Sequence, residues 1–167
     1  DRTFPRRADR MLAPHRRLAG HLIVRGCDHE RVRIVPPPVD VQTFEPCVAS
    51  KETPPVLYAG NLDAYQNLDL LYAAMEQVRV KIPGARLIVA TGDPFDKPGV
   101  ELASTHGFDS LQRVLAQDSV FAVPRVSWSG YPIKMLNAMA AGKAIVACQS
   151  TAYPLTHELN EIGRAHV

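Results

Sequence analysis

The residues between Arg125 and Asn137 have the types expected of an anion-binding junction between a strand and a helix. Gly130 has no Cβ, so backbone N–H groups at this point can approach a ligand closely. Pro132 suits the first turn of a helix, where the backbone needs no intrahelical N–H. The free N–H groups and the positive end of that helix attract anions, phosphate above all. An ordinary capped helix would explain the same residues, and the residue types alone leave both interpretations open.

Two polar side chains follow one turn into this helix. Lys134 and Asn137 have the spacing i and i+3, so they share one helix face. An asparagine at that position can bond a sugar or ribose hydroxyl in the same crevice. Lys143, just beyond the helix, lacks the spacing of a phosphate-binding loop, and we interpret it as a charge at the helix C-terminus.

A second strand-to-helix junction spans residues 60–67 and contains Asn61, Tyr65 and Gln66. Ligands of doubly wound sheets bind at the carboxyl ends of the strands, where helix N-termini collect. We therefore expect the two junctions to border one crevice. Tyr65 and Tyr131 can stack on a base or a sugar, or they can pack in the core or at its rim.

The elements that position these junctions follow from the hydrophobic pattern after residue 55. Apolar runs alternate with segments of helical period, which indicates strands alternating with helices. The predicted strands are residues 56–60, 86–92, 100–103, 119–124 and 144–148. The predicted helices are residues 67–82, 109–117, with Asp109 as the candidate cap, and 133–142. Continuous apolar strands of this kind form a parallel sheet with both faces covered. We therefore predict an α/β fold with a doubly wound parallel sheet.

The first 55 residues follow a different pattern. A strand is predicted at residues 8–13, a helix at residues 14–26 and a second strand at residues 31–35. The prolines at 36, 37 and 38 favour polyproline II and cannot continue a sheet. We interpret residues 36–55 as a linker between two domains.

Composition argues against several classes of function. A net charge of +2 over 167 residues is too small for binding nucleic acid through overall charge. The 3 cysteines lack metal-binding spacing and no apolar run could span a bilayer, so we expect a cytoplasmic protein. The 6 histidines are never paired at metal-ligand spacing, so no metal site is predicted.

Arginine is concentrated at the start of the chain, at positions 2, 6, 7, 10, 16, 17, 25, 31 and 33. A solvated helix face is one interpretation of such a charge run. A face toward anionic lipid or an acidic partner is the other, and it would make the protein peripheral to the inner face of a membrane.

Three segments, in order, resemble the C-terminal half of GT-B glycosyltransferases of the family-4 type. They are residues 31–44 (RVRIVPPPVDVQTF), 56–93 (opening VLYAGNLDAYQNLDLL) and 120–147 (VFAVPRVSWSGYPIKMLNAMAAGKAIVA). The resemblance implies that residues 1–35 end an acceptor-binding domain and that residues 56–160 form a Rossmann-like nucleotide-sugar domain, incomplete at its C-terminus. Residues 162–167 match the translation of a common sequencing adapter in one frame, and we interpret residues 161–167 as a non-native tail.

The resemblance also assigns roles, and four positions depart from the family pattern. Asn61 and Gln66 stand where the family has a basic pair that neutralises the donor diphosphate. Ser129 and Asn137 stand where it has paired glutamates that contact the donor. The predicted donor-binding residues are Gly60, Asn61, Gln66, Arg125, Ser129, Gly130, Tyr131, Pro132, Lys134 and Asn137, with Lys134 and Arg125 as compensating cations.

The function implied is transfer of a sugar from a nucleotide-diphosphate donor to a saccharide or lipid-linked acceptor. By resemblance, the transfer retains the anomeric configuration and needs no metal or other cofactor. The four neutral positions raise an alternative, a non-catalytic nucleotide-sugar-binding paralogue that acts as a partner subunit. Sugar-nucleotide epimerisation is a third hypothesis, which the absence of a well-placed carboxylate base disfavours.

Overall fold

The computed structural model describes residues 7–45, 50, 52–126, 131–152 and 155. The chain divides into two compact units, one comprising residues 1–38, 129–132 and 153–167 and the other residues 39–128 and 133–152. The change of unit after Pro38 falls within the predicted linker, and the domain assignment itself stays a prediction. Ser129, Gly130 and the predicted tail at residues 161–167 lie outside the described residues.

The first unit contains a parallel pair of short strands joined by a helix. Strand β1 (Met11–Ala13) pairs with β2 (Val32–Ile34), and helix α1 (Arg16–Val24) connects them. A small core forms where the helix covers the strands, from Ala13, Ala19, Cys27 and Val32. The predicted strand–helix–strand order is confirmed.

Helix α1 ends as its sequence predicts. Gly26 adopts a φ of 94°, its N–H donates to the Ile23 carbonyl, and the Cys27 N–H donates to the Leu22 carbonyl. These two bonds form a Schellman motif, which requires a left-handed residue and therefore favours glycine. At the other end, His15 Nδ1 accepts the Leu18 N–H at 3.3 Å, so this histidine is a cap.

The second unit is a five-stranded sheet in which every paired strand is parallel. Its strands are β3 (Val56–Ala59), β4 (Leu87–Thr91), β5 (Glu101–Ser104), β6 (Val120–Val123) and β7 (Ala144–Ala147), and its helices are α2 (Leu68–Lys81), α3 (Phe108–Ala116) and α4 (Ile133–Ala140). The strands are ordered β5-β4-β3-β6-β7. This arrangement confirms the predicted doubly wound α/β fold. From β3 the chain continues to β4 and β5 on one side of the sheet, and it then returns to β6 and β7 on the other side. The loops after the neighbouring strands β3 and β6 therefore lead away from each other.

Hydrophobic packing between α2 and the sheet forms a core in this unit. It is built from Tyr58, Leu71, Met75, Leu87, Val89 and Ala122. No helix in the described ranges is both long and apolar enough to cross a membrane.

The sequence analysis was wrong about two helix details. The N-cap of α3 is Gly107 at a φ of 91°, so the helix begins at Phe108 and Asp109 lies in its first turn. Lys143, interpreted as a charge at the C-terminus of α4, is buried, and its ammonium donates instead to the Gln117 carbonyl at the end of α3.

Candidate functional site

A cleft of about 170 Å³ opens at the carboxyl edge of the second unit's sheet. Its walls come from the end of β3, the loop after β5, and helices α3 and α4, through Ala59, Gly60, Thr105, Gly107, Leu111, Leu115, Phe121, Lys134 and Asn137. The aliphatic and aromatic side chains form an apolar floor, and Lys134 and Asn137 add polar groups. Lys134 and Asn137, which were predicted to share one helix face, therefore line the same cleft as Gly60.

Gly60 allows α4 to bring its lysine against the end of β3. A Cβ built on Gly60 would overlap Lys134 Nζ and lie 2.5 Å from Lys134 Cε and 3.3 Å from Tyr58 Oη. The φ of residue 60 is +146°, a conformation that residues with a side chain rarely adopt. The backbone thus favours glycine, and a Cβ at residue 60 would displace the end of the Lys134 side chain.

Lys134 is held over Tyr58 rather than extended into solvent. Its ammonium donates to Tyr58 Oη at 3.3 Å and lies 5.1 Å from the centre of the ring. The pKa of Lys134 is lowered from 10.5 to about 8, first by burial and second by the positive charge of Arg125, while Asp63 opposes the shift. Tyr58 is itself buried, which raises its pKa, and its hydroxyl donates to the Asn61 carbonyl at 2.5 Å.

The side chains of Asn61 and Gln66 bond to each other within the loop after β3. Gln66 is buried, and its Nε2 donates to Asn61 Oδ1 at 2.6 Å. Asn61 Nδ2 donates in turn to Asp63 Oδ2 at 2.5 Å and to Tyr65 Oη at 3.3 Å. The hydrogen-bonding capacity of these two predicted donor-binding residues is therefore used to shape the loop.

Two residues that anchor this loop were missed from the sequence. Asn67 adopts a φ of 58°, and its Nδ2 donates to the Pro124 carbonyl at 3.3 Å, which joins the loop after β3 to the end of β6. Asp93, just after β4, accepts the Leu62 N–H at 2.9 Å. The available signals were an asparagine, which tolerates left-handed backbone, and an acidic residue directly after a strand.

The segment after β6 contacts the same loop. The Arg125 guanidinium lies over the Tyr65 ring, 5.2 Å from its centre. The Arg125 carbonyl accepts Thr151 Oγ1 at 2.5 Å, and the Val126 carbonyl accepts Ser150 Oγ at 2.5 Å. The described start of the second predicted junction, Arg125 and Val126, therefore lies beside the loop after β3, and residues after β7 hold it.

The remaining predicted residues do not belong to this unit in the described structure. Tyr131 and Pro132 fall in the first unit, where the Tyr131 ring centre lies 6.1 Å from that of His15. Helix α4 begins at Ile133, directly after Pro132. The donor-binding roles of these residues, and of Ser129 and Gly130, stay predictions.

Comparison with known families identifies the fold. The profile described as Glycosyl transferases group 1 matches residues 53–163. The chain belongs to this family. The GT-B resemblance drawn from the three sequence segments is confirmed.

Characterised relatives of this group 1 glycosyltransferase chain include two kinds of enzyme. The GDP-mannose-dependent alpha-(1-6)-phosphatidylinositol monomannoside mannosyltransferase of Mycobacterium tuberculosis is 27% identical over 157 residues, covering 77% of the chain and 41% of the relative. The D-inositol 3-phosphate glycosyltransferase of Segniliparus rotundus is 27% identical over 175 residues, covering 89% and 38%. The chain thus spans about two fifths of the length of these relatives.

Solved structures show the same fold. Anabaena HepE in complex with UDP-glucose superimposes with a TM-score of 0.75 at 14% identity, covering 92% of the chain and 49% of that structure. The lipopolysaccharide outer core galactosyltransferase WaaB, in its apo form, gives 0.62 at 16% identity, covering 85% and 43%. At these identities the likeness concerns the fold alone.

We predict that Gly60→Ala destabilises the protein by about 1–3 kcal/mol, the cost of forcing a side chain into glycine-only backbone. The added Cβ also displaces Lys134 from Tyr58. Urea unfolding followed by circular dichroism measures the change. Gly84→Ala is the matched control, because nothing lies within 4 Å of a Cβ at Gly84. Equal stability of the two variants would contradict the requirement for glycine at residue 60.

Proposed function

We propose that the protein transfers a sugar from a nucleotide-diphosphate donor to an acceptor, and that the cleft beside Gly60 binds the donor. The cleft carries this proposal, because it combines an apolar floor with a lysine and an asparagine at the switch point of a doubly wound sheet. Membership of the group 1 glycosyltransferases and the names of the relatives support it.

The cleft's chemistry suits the two ends of a nucleoside diphosphate. Leu111, Leu115 and Phe121 offer an apolar surface for a flat base. Asn137 carries both donor and acceptor groups, which match the hydroxyls of a ribose or a sugar. Lys134 brings positive charge toward the phosphates, whose charge must be stabilised as the sugar leaves.

The relatives' names also bear on the substrates. One is named as GDP-mannose-dependent and as acting on a phosphatidylinositol mannoside, and another is named for D-inositol 3-phosphate. We propose an acceptor of the saccharide or lipid-linked class, with GDP as the first donor nucleotide to test. Because these relatives are named as transferases, they favour an enzyme over a partner subunit that only binds nucleotide sugar.

Isothermal titration of the purified protein with GDP, UDP and ADP tests the donor site. We expect one nucleotide to bind in the micromolar range, and Asn137→Ala to weaken it about tenfold, the loss expected for one hydrogen bond. Gln77→Ala, on the exposed face of α2, is the control and should bind normally. Absence of binding by all three nucleotides would overturn the proposed function.

We propose further that the transfer retains the anomeric configuration and uses no metal, as the family resemblance implies. Within the described residues, no group of three or more His, Cys, Asp or Glu side chains could hold a metal ion. We expect EDTA to leave the rate of sugar transfer unchanged. Proton NMR of the product should show the anomeric configuration of the donor. A rate abolished by EDTA and restored by Mg²⁺ or Mn²⁺ would contradict the metal-free mechanism.

We also propose that the arginine-rich N-terminal segment contacts an anionic membrane surface. Arg16, Arg17, Arg25, Arg31 and Arg33 are exposed on the first unit. Attraction to anionic lipid is worth about 1 kcal/mol per basic residue near the surface and weakens with salt. At an ionic strength of about 0.03 M, we expect the protein to co-sediment with phosphatidylserine-containing vesicles. We expect about 0.5 M NaCl, which shortens the screening length roughly fourfold, to abolish this co-sedimentation. Equal sedimentation with neutral phosphatidylcholine vesicles would refute an electrostatic contact.

A further inference from the structure

The described lining of the cleft beside Gly60 includes one charged side chain, that of Lys134. Of the described residues that line it, only Lys134 is ionisable in the ordinary pH range. No carboxylate in the described part of the chain forms an ion pair with its ammonium, whose protein partner is the neutral hydroxyl of Tyr58. A half-buried ammonium without an ion-pair partner is costly, and the more distant Asp63 only partly offsets that cost, so this position favours an anionic ligand.

Three groups of the described residues act on Lys134. Tyr58 lies beneath it on β3, Arg125 follows β6, and Asp63 lies in the loop after β3. Burial and Arg125 disfavour the charged lysine more than Asp63 supports it, which lowers the pKa of Lys134 to about 8. A bound anion would reverse this balance, because it stabilises the protonated form.

The geometry leaves the lysine available for a ligand. An ammonium has three N–H donors, and one of them is directed to Tyr58 Oη at 3.3 Å. The other polar groups nearby are committed elsewhere, since Asn61 and Gln66 bond each other and the Arg125 guanidinium lies over Tyr65. The positive charge inside the cleft therefore comes from α4 and not from the loop after β3.

We infer that Lys134 is the cation that holds the phosphate groups of the donor nucleotide, and that its protonation sets the pH range of donor binding. This inference rests on the proposed function and assigns the phosphate contact to one residue. A nucleoside, which lacks phosphates, would bind the same cleft without needing this charge.

The direction of the pH effect follows from linkage. In the free protein Lys134 has a pKa of about 8, and binding a phosphate raises it. Affinity is therefore full below pH 8 and falls above it, by up to about tenfold per pH unit for one linked proton. An arginine at this position stays charged over the whole range and removes this dependence.

The test is to titrate the purified protein with the nucleoside diphosphate that binds it and with its nucleoside, at intervals from pH 7 to pH 9.5. The variants are Lys134→Arg, Lys134→Gln and the control Lys81→Gln, an exposed lysine at the end of α2. We expect Lys134→Gln to bind the diphosphate about tenfold to a hundredfold more weakly at pH 7, as when a charge-assisted bond is lost. Nucleoside affinity should be unchanged in every variant.

The wild-type protein and Lys81→Gln should lose diphosphate affinity above pH 8. Lys134→Arg measures the loss that ionisation of the base alone causes, and the loss in the wild-type protein should exceed it. Wild-type affinity that follows the same pH profile as Lys134→Arg would overturn the inference and leave the donor site intact. The same holds if Lys134→Gln binds normally. Absence of nucleotide binding at every pH would overturn the proposed function itself. If Lys134→Gln fails to fold, the comparison of wild type with Lys134→Arg decides.

Discussion

The contact between Lys134 and the backbone of Gly60 is the constraint on which the candidate site depends. The Lys134 ammonium lies against the end of the central strand because residue 60 has no Cβ, and the φ of +146° at that residue favours glycine. The central position of β3, between β4 and β6, makes its carboxyl end the place where neighbouring loops diverge. Gly60 thus lets the charged end of Lys134 lie at the carboxyl end of the central strand.

A polar network replaces ionic contacts in the loop after β3. Asn61 and Gln66 hold the loop from inside, Asp93 attaches it to the end of β4, and Asn67 attaches it to the end of β6. These bonds satisfy the loop's polar groups without a mobile charged side chain. The neutral side chains of Asn61 and Gln66 therefore hold the loop, and the positive charge of the cleft comes from Lys134 outside it, which Asp63 within the loop helps to keep protonated.

The fold could be predicted because continuous apolar runs, such as residues 86–92, describe buried parallel strands with little ambiguity. The predicted helix cap was wrong where the loop conformation determines the helix start, because Gly107 is the N-cap and not Asp109. In the site, the types and helical spacing of Lys134 and Asn137 predicted that they would face one crevice. The partners of the lysine could not be predicted, because Tyr58 lies 76 positions away along the chain and meets it only through the sheet.

Tyr58 fixes the position of the Lys134 ammonium in the cleft. Burial raises the pKa of its hydroxyl, so the group stays neutral and keeps its proton for the Asn61 carbonyl. The lone pairs of the Tyr58 oxygen then accept a hydrogen bond from the Lys134 ammonium. The ammonium therefore donates to the tyrosine, and the tyrosine donates to the Asn61 carbonyl. A carboxylate in place of this hydroxyl would neutralise the lysine and weaken its attraction for any incoming anion. The neutral acceptor positions the charge without cancelling it, so the charge remains available to a ligand.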